Sequence, residues 1–183
     1  YNYSLSFENS LFGTPMMRPT FFNSASQDID NASSYFWGDA FLVHPVTSPN
    51  TDELAVSLPK GVWFNYWNDE KFVNAGDGIK KIMIPTPLEQ IPVLVKAGAF
   101  VPMTSNMQNT TEYNSENLTI HYYHDNSVTN QNYVMYDDDG RSADAMSTGN
   151  YQSLNFASTV NLKDSDKTLA LSVWVKGAFA GSP

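Results

Sequence analysis

Residue types that commonly carry chemistry are sparse in this chain. Its three histidines are His44, His121 and His124, and His121 with His124 and Asp125 makes the closest local set of metal-ligand types. A metal centre needs such groups to converge, but on an alternating strand positions 121 and 124 face opposite sides. Ordinary strand or turn histidines are therefore expected, with no metal. The run Asp137-Asp138-Asp139-Gly140 has the acidity of a calcium loop without its twelve-residue ligand pattern. A hairpin turn, in which Asp and Gly supply the needed backbone angles, is the simpler reading. Trp63, Phe64, Tyr66 and Trp67 nearly fill the stretch Val62 to Trp67. Exposed, such rings could stack on sugars; buried, they pack a core, and the run is too apolar for a half-exposed platform. Core packing is expected.

No Ser-His-Asp order, phosphate-cradling glycine loop or nicotinamide fingerprint occurs, and the 19 acidic residues offer no privileged pair. Spacing alone nominates no catalytic residue, and no cofactor is implied.

The elements that must position these groups are mostly strands. Tyr3, Phe7 and Leu11 recur at helical spacing, with Leu5 and Phe12 near the same face, so a helix is expected over residues 1–12. Gly13 should cap it in the left-handed conformation, and Pro15 stops it. After that the texture turns to short alternating runs: 16–22, 35–46, 54–58, 62–67, 79–84, 91–95 and 99–103, the last two closing around a turn at 96–98. Residues 23–34 are polar and read as a surface loop. Residues 104–117 are almost all Ser, Asn, Thr, Gln and Glu, the composition of a linker, and a domain boundary is placed there. Strands follow at 118–123, 131–136, 151–161 and 168–175, with the turn spacing of sandwiches and small barrels.

Composition narrows the function classes. The 183 residues are 42% hydrophobic and 14% aromatic, enough for a core, so wholesale disorder is excluded. Ten basic against 19 acidic side chains give a formal charge of -9, which repels phosphate backbones and anionic bilayers. No nucleic-acid or membrane partner is expected. The longest apolar stretch, Ile91 to Met103, is broken by Lys96, Gly98 and Pro102, well short of the roughly 18 residues of a spanning helix. Without cysteine there is no disulfide or thiol chemistry, and localisation stays open. The start at Tyr1, with no initiator Met, reads as a processed chain or an excised piece.

Four segments, taken in order, carry a resemblance. Gly13-Thr14-Pro15-Met16-Met17-Arg18-Pro19 with Phe21-Phe22 is similar to a G-x-P-V-M-R-P-L-F-F stretch. Phe36-Trp37-Gly38-Asp39-Ala40-Phe41-Leu42-Val43-His44-Pro45-Val46 is similar to M-W-G-D-A-L-L-V-A-P-V, with His44 where a small residue is usual. Leu58-Pro59-Lys60-Gly61-Val62-Trp63-Phe64-Asn65-Tyr66-Trp67 resembles L-P-x-G-x-W-Y-D-x-W. Pro87 to Met103 resembles P-L-x-x-I-P-V-F-V-R-A-G-S-I-I-P. Together they resemble the C-terminal portion of glycoside hydrolase family 31, the α-glucosidase and α-xylosidase family. Tyr136 to Gly140, then Gly149-Asn150-Tyr151, is similar to the Y-x-D-D-G…G-x-Y of the family's distal β domain.

The resemblance implies an all-β fold of antiparallel β-sandwich domains with a short N-terminal helix left from a (β/α)₈ barrel. Residues 1–15 would be the last helix of an upstream catalytic barrel, 16–108 the proximal C-terminal β domain and 109–183 the distal one, not necessarily whole. The family's nucleophile and acid/base aspartates lie in barrel motifs, neither of which occurs here, and a retaining glycosidase needs both around one bond. The chain is thus expected to be a non-catalytic region of a parent that hydrolyses α-glucosides or α-xylosides, with the barrel and the carbohydrate substrate as partners. Arg18, Asp39, Trp63 and Trp67 are expected in structural roles. Arg18 would pair with Asp39, since a lone charge among apolar segments is costly. Residues 1–12, cut from a barrel, would expose Tyr3, Phe7 and Leu11 and drive self-association or refolding onto the β region. The competing reading is a free-standing carbohydrate-binding or adhesion β module.

Overall fold

The computed structural model describes residues 1–23, 33–113, 115, 117–162 and 167–177. Most of the expected loop at 23–34 lies outside them. No helix among the described residues is long and apolar enough to cross a membrane. The chain divides into two compact units, one of Pro15–Ala97 and the other of Tyr1–Thr14 with Gly98–Pro183.

The Pro15–Ala97 unit contains β1 (Met17–Pro19), α2 (Thr20–Asn23), β2 (Tyr35–Trp37), β3 (Phe41–Val43), β4 (Glu53–Leu58), β5 (Gly61–Asn65), β6 (Lys71–Asn74), β7 (Lys80–Pro85) and β8 (Val93–Lys96). Six strands form one antiparallel sheet in the order β1-β2-β3-β8-β5-β6, while β4 and β7 pair separately. Directly opposed residues share a face, so the register Phe36↔Leu42↔Leu94 draws an apolar row across three strands. Val56, Leu58 and Ile84 from the β4-β7 pair complete the core with Phe36, Leu42, Trp63 and Leu94. Two sheets thus bury their apolar faces on each other, which is the sandwich solution. At 0% exposure Leu42 and Leu94 each contribute about 1.5 to 3 kcal/mol by leaving water. Buried Asn74 ties the adjoining turns: Nδ2 donates to the carbonyls of Leu58 (2.9 Å) and Gly78 (2.8 Å), and Oδ1 accepts from Gly76 N–H (3.1 Å).

In the other unit, α1 (Asn2–Phe12) ends at Gly13, whose φ of 69° is left-handed and whose N–H donates to Asn9 O at 2.9 Å. The strands are β9 (Phe100–Thr104), β10 (Leu118–Tyr122), β11 (Asn130–Asp138), β12 (Tyr151–Asn161) and β13 (Thr168–Gly177), with α3 (Ala145–Thr148) between β11 and β12. They form the antiparallel sheets β9-β10 and β11-β12-β13. Phe100, Met135 and Phe156 form the core, with the rings of Phe100 and Phe156 5.8 Å apart. On β13, Leu169, Leu171, Val173 and Val175 oppose Val160, Ser158, Phe156 and Leu154, and so share the core face of β12. All ten residues of β13 are nevertheless exposed.

Three expectations need correction. The polar stretch 104–117 is not a boundary, because it joins the paired strands β9 and β10 inside one unit. It also carries its own ordered turn: Asn109 Oδ1 accepts from Thr111 N–H at 3.0 Å, and Glu112 from Gln108 N–H at 2.9 Å. The division falls instead at Ala97/Gly98, so the strands flanking the turn at 96–98 do not pair: β8 lies between β3 and β5, while β9 lies against β10. Polar composition marks exposure, which a hairpin loop and a linker share. Finally, the stripe buried by α1 is centred on Ser4 and Leu5 rather than on Tyr3, Phe7 and Leu11. Ser4 Oγ accepts the N–H of Tyr136 at 3.2 Å, so a small polar residue can lie closest to the strand while bulkier rings flank it.

Candidate functional site

Arg18 lies on β1, whose pattern of exposed, buried, exposed residues aims only this side chain inward. Its guanidinium is satisfied where it lies. Nη1 is 2.5 Å from Asp39 Oδ1, Nε donates to Pro15 O at 2.7 Å, and Cζ lies 5.7 Å from the Phe22 ring centroid. Asp39 comes from the turn between β2, the antiparallel neighbour of β1, and β3, so sheet topology brings the two charges together across 21 positions. The arrangement holds a loop to a strand; it presents no reactive group.

The aromatic row divides by depth. Trp63 is 2% exposed, and its indole N–H donates to Pro59 O at 3.1 Å. Trp67, at 46% exposure, donates to Ile91 O at 2.8 Å. Its ring meets Tyr66 edge-on, and Tyr66 in turn meets Phe41 edge-on. The three rings cross at 81° and 71° and share no common plane. The row is therefore not a flat platform.

The histidines do not converge. His44 is buried at 1% exposure, with Nδ1 2.5 Å from Ser34 Oγ, while Nε2 has no hydrogen-bond partner among the described residues. Burial, with a smaller contribution from the Lys81 charge, lowers its pKa to about 4. His121 lies exposed on β10, and His124 Nε2 is 3.2 Å from Asn126 Oδ1. Among the described residues no group of three His, Asp or Glu side chains could hold a metal.

The three aspartates serve separate donors. Asp137, buried at 1% exposure, accepts from Tyr113 Oη (3.2 Å) and Gln152 Nε2 (2.9 Å). Asp138 accepts from the hydroxyls of Tyr3 and Tyr136 and from Gly140 N–H. Asp139 accepts from Ser142 Oγ (2.5 Å) and from the amides of Arg141 (2.9 Å) and Ser142 (2.8 Å). The Ser142 hydroxyl, then these amides, hold its carboxyl below the usual range. Asp137 and Asp138 end β11, opposed by Gln152 and Tyr151, and only Asp139 and Gly140 enter the connection, which is not a tight hairpin, since α3 intervenes before β12 begins at Tyr151.

What the sequence did not reveal is a cleft beside α1. Phe7 lies on Tyr136 with centroids 3.7 Å apart and planes 4° from parallel, and Tyr3 lies 6.1 Å from the same ring at 25°. Burial, then the Asp138 hydrogen bond, push the Tyr3 and Tyr136 hydroxyls up, so both phenols stay protonated donors. Tyr3 and Asp138 are 135 positions apart, and no local signal joins them.

Residues 13–101 match the family described as glycosyl hydrolase family 31 C-terminal domain. The chain is 32% identical over 146 residues to "Alpha-glucosidase 2" of Bacillus thermoamyloliquefaciens, covering 76% of this chain and 17% of that protein. It is 30% identical over 143 residues to an "Alpha-xylosidase" of Saccharolobus solfataricus, covering 76% and 19%. Among solved structures it is similar to the GH31 alpha-xylosidase of Xanthomonas citri, with a TM-score of 0.75 at 22% identity over 99% of this chain and 19% of that one. The chain thus spans less than a fifth of the relatives it matches.

Proposed function

The chain belongs to glycosyl hydrolase family 31 through its C-terminal domain, and on that premise we propose that it is the non-catalytic β region of a retaining α-glycosidase acting on α-glucosides or α-xylosides. In this reading the β units brace a catalytic (β/α)₈ barrel carried on the same polypeptide. The match of residues 13–101 to a domain described as C-terminal carries the reading. The names of the relatives, an alpha-glucosidase and an alpha-xylosidase, support the substrate class. In the same reading α1 is the barrel's last helix. Its exposed Phe12 meets the barrel or, without one, a second copy.

Retaining hydrolysis needs two carboxyls about 5 to 5.5 Å apart, one kept protonated and one free to attack. The Asp137 to Asp139 carboxylates are each engaged by hydroxyl, amide or backbone donors of this chain, a use that suits structure rather than attack. The alternative, a free-standing carbohydrate-binding or adhesion module, loses its expected platform with the burial of Trp63. The test is an assay of the purified chain at high concentration against nitrophenyl α-glucoside and α-xyloside. No turnover is expected. Activity that survives purification and disappears on substituting an Asp of this chain would overturn the proposal.

A further inference from the structure

Within the unit formed by Tyr1–Thr14 and Gly98–Pro183, α1 and the end of β11 border an open cleft of about 320 Å³. That is the lower end of the range in which small molecules bind, about 300 to 1,000 Å³. Its lining has two chemical characters. Tyr3, Phe7 and Tyr136 supply ring carbon, and Asp138, Ser6 and Ser10 supply oxygen. The rings lie nearly parallel, with planes 4° and 25° from that of Tyr136, and Tyr3 is 41% exposed.

Asp138 is already oriented without any ligand. Its Oδ1 accepts from Tyr3 Oη and from Gly140 N–H, the latter at 2.8 Å, while Oδ2 accepts from Tyr136 Oη at 2.7 Å. A carboxylate oxygen offers about two acceptor directions. Among these bonds Oδ1 uses two and Oδ2 one, so a donor entering the cleft can still be accepted at Oδ2.

These features select a ligand class. An anion would meet the Asp138 carboxylate. A wholly apolar molecule would desolvate that carboxylate and return no hydrogen bond. A quaternary ammonium is held by rings enclosing it from several sides, whereas these rings are close to coplanar in orientation. A neutral ring with a CH-rich face and hydroxyls around its edge suits both characters of the lining, the ring carbon of Tyr3 and the oxygens of Asp138, Ser6 and Ser10. Its face would cover the Tyr3 ring, one hydroxyl would donate to Asp138 Oδ2, and others would exchange hydrogen bonds with Ser6 and Ser10. We propose that this cleft is an accessory carbohydrate subsite that takes one pyranosyl unit of an oligosaccharide. Only the choice of glucosyl or xylosyl probes rests on the functional reading above; the pyranose chemistry rests on the cleft.

The experiment is an amide-shift titration of the chain with maltose, isomaltose and methyl α-xyloside, with tetramethylammonium as a separate arm. Saturable shifts confined to residues 3–11 and 136–142 are expected, with a Kd of about 1 to 10 mM. Ser10→Trp, on the exposed face of α1, fills the cleft without touching the Asp138 bonds and should weaken binding at least tenfold. Tyr3→Ala should do the same by removing the ring. Ser10→Trp also guards against misreading a folding defect, because its spectrum away from the cleft should match the parent chain. The proposal is overturned by absence of saturable shifts with all three sugars, by shifts that persist in Ser10→Trp, or by saturation with tetramethylammonium alone. A complete polypeptide inactive on α-glucosides and α-xylosides would end the functional reading and leave a positive titration standing.

Discussion

Nη1 of Arg18, on a residue 3% exposed, lies 2.5 Å from Oδ1 of Asp39, whose side chain is 79% exposed. The pair is asymmetric: a cation inside is met by an anion that water also reaches. Losing the anion still leaves Arg18 the Pro15 carbonyl and the Phe22 ring among its partners, so the penalty falls below that of a wholly buried pair. Asp39→Asn should destabilise the chain by about 1 to 3 kcal/mol. Arg18→Met should cost less than Arg18→Ala, because it restores buried volume. Urea denaturation of the three variants checks the order; an Asp39→Asn chain as stable as the parent would show the pair to be incidental.

Leu42 is the centre of the Pro15–Ala97 core, opposed by Phe36 on one side and Leu94 on the other. Leu42→Ala should cost about 2 to 5 kcal/mol, the transfer of the lost methyl groups plus the cavity left behind. Met83, at 54% exposure on β7, is the control: Met83→Ala should change stability by less than about 0.5 kcal/mol.

His44 gives the Pro15–Ala97 unit a defined acid response. Its pKa falls from 6.5 to about 4 in the fold, so the neutral form is favoured by folding. The associated stability is complete above about pH 6.5 and is lost as pH falls toward 4, to a total of about 3 kcal/mol. Carboxylates titrate in part of the same window, so the quantity to measure is the difference in slope between the parent and His44→Leu. Between pH 6.5 and 5 the parent should lose more stability than the variant. Equal slopes would mean that His44 protonates without cost, through an opening that admits water.

Gly98 has φ of +84°, and a Cβ there would stand 2.8 Å from Val128 Cγ1. Two penalties therefore combine in Gly98→Ala, one for the left-handed backbone and one for the contact, at a total of more than about 1 kcal/mol. Adding Val128→Ala removes the contact and leaves the backbone term, so a double-mutant cycle should recover only part of the loss.

Because β9 belongs with β10, a protease cut within residues 105–113 should separate no unit from the other. The nicked chain should migrate as one species under native conditions and as two after denaturation. Native release of a fragment spanning residues 1–104 would restore the boundary expected from composition.

Much of this architecture was legible in the sequence because short-range chemistry set it. Gly13 stops α1 by taking a conformation other residues avoid, and alternation marks β4, β7, β10 and β12. Strand β6 went unremarked because four residues, Lys71 to Asn74, give too few alternations to register. The separation of β8 from β9 was hidden for another reason: adjacent strands usually pair, and no residue near 96–98 announces that they do not. The cleft was least visible of all. Phe7, Tyr136 and Asp138 each look ordinary in their own segments, and only the docking of α1 on β11 gives them a common surface.

β13 also makes a prediction about time. Among the described residues, one side of this strand is laddered to β12 and the other borders no strand, and the strand's own residues are exposed. Along an antiparallel ladder successive amides point to alternate sides, so deuterium should enter 168–177 in a two-beat pattern: every second amide exchanges almost at once, while its neighbours wait for the β12 ladder to open. The slow set would report a local opening rather than the unfolding of the Phe100, Met135 and Phe156 core. Uniformly slow exchange along β13 would reveal that something in solution covers the free edge.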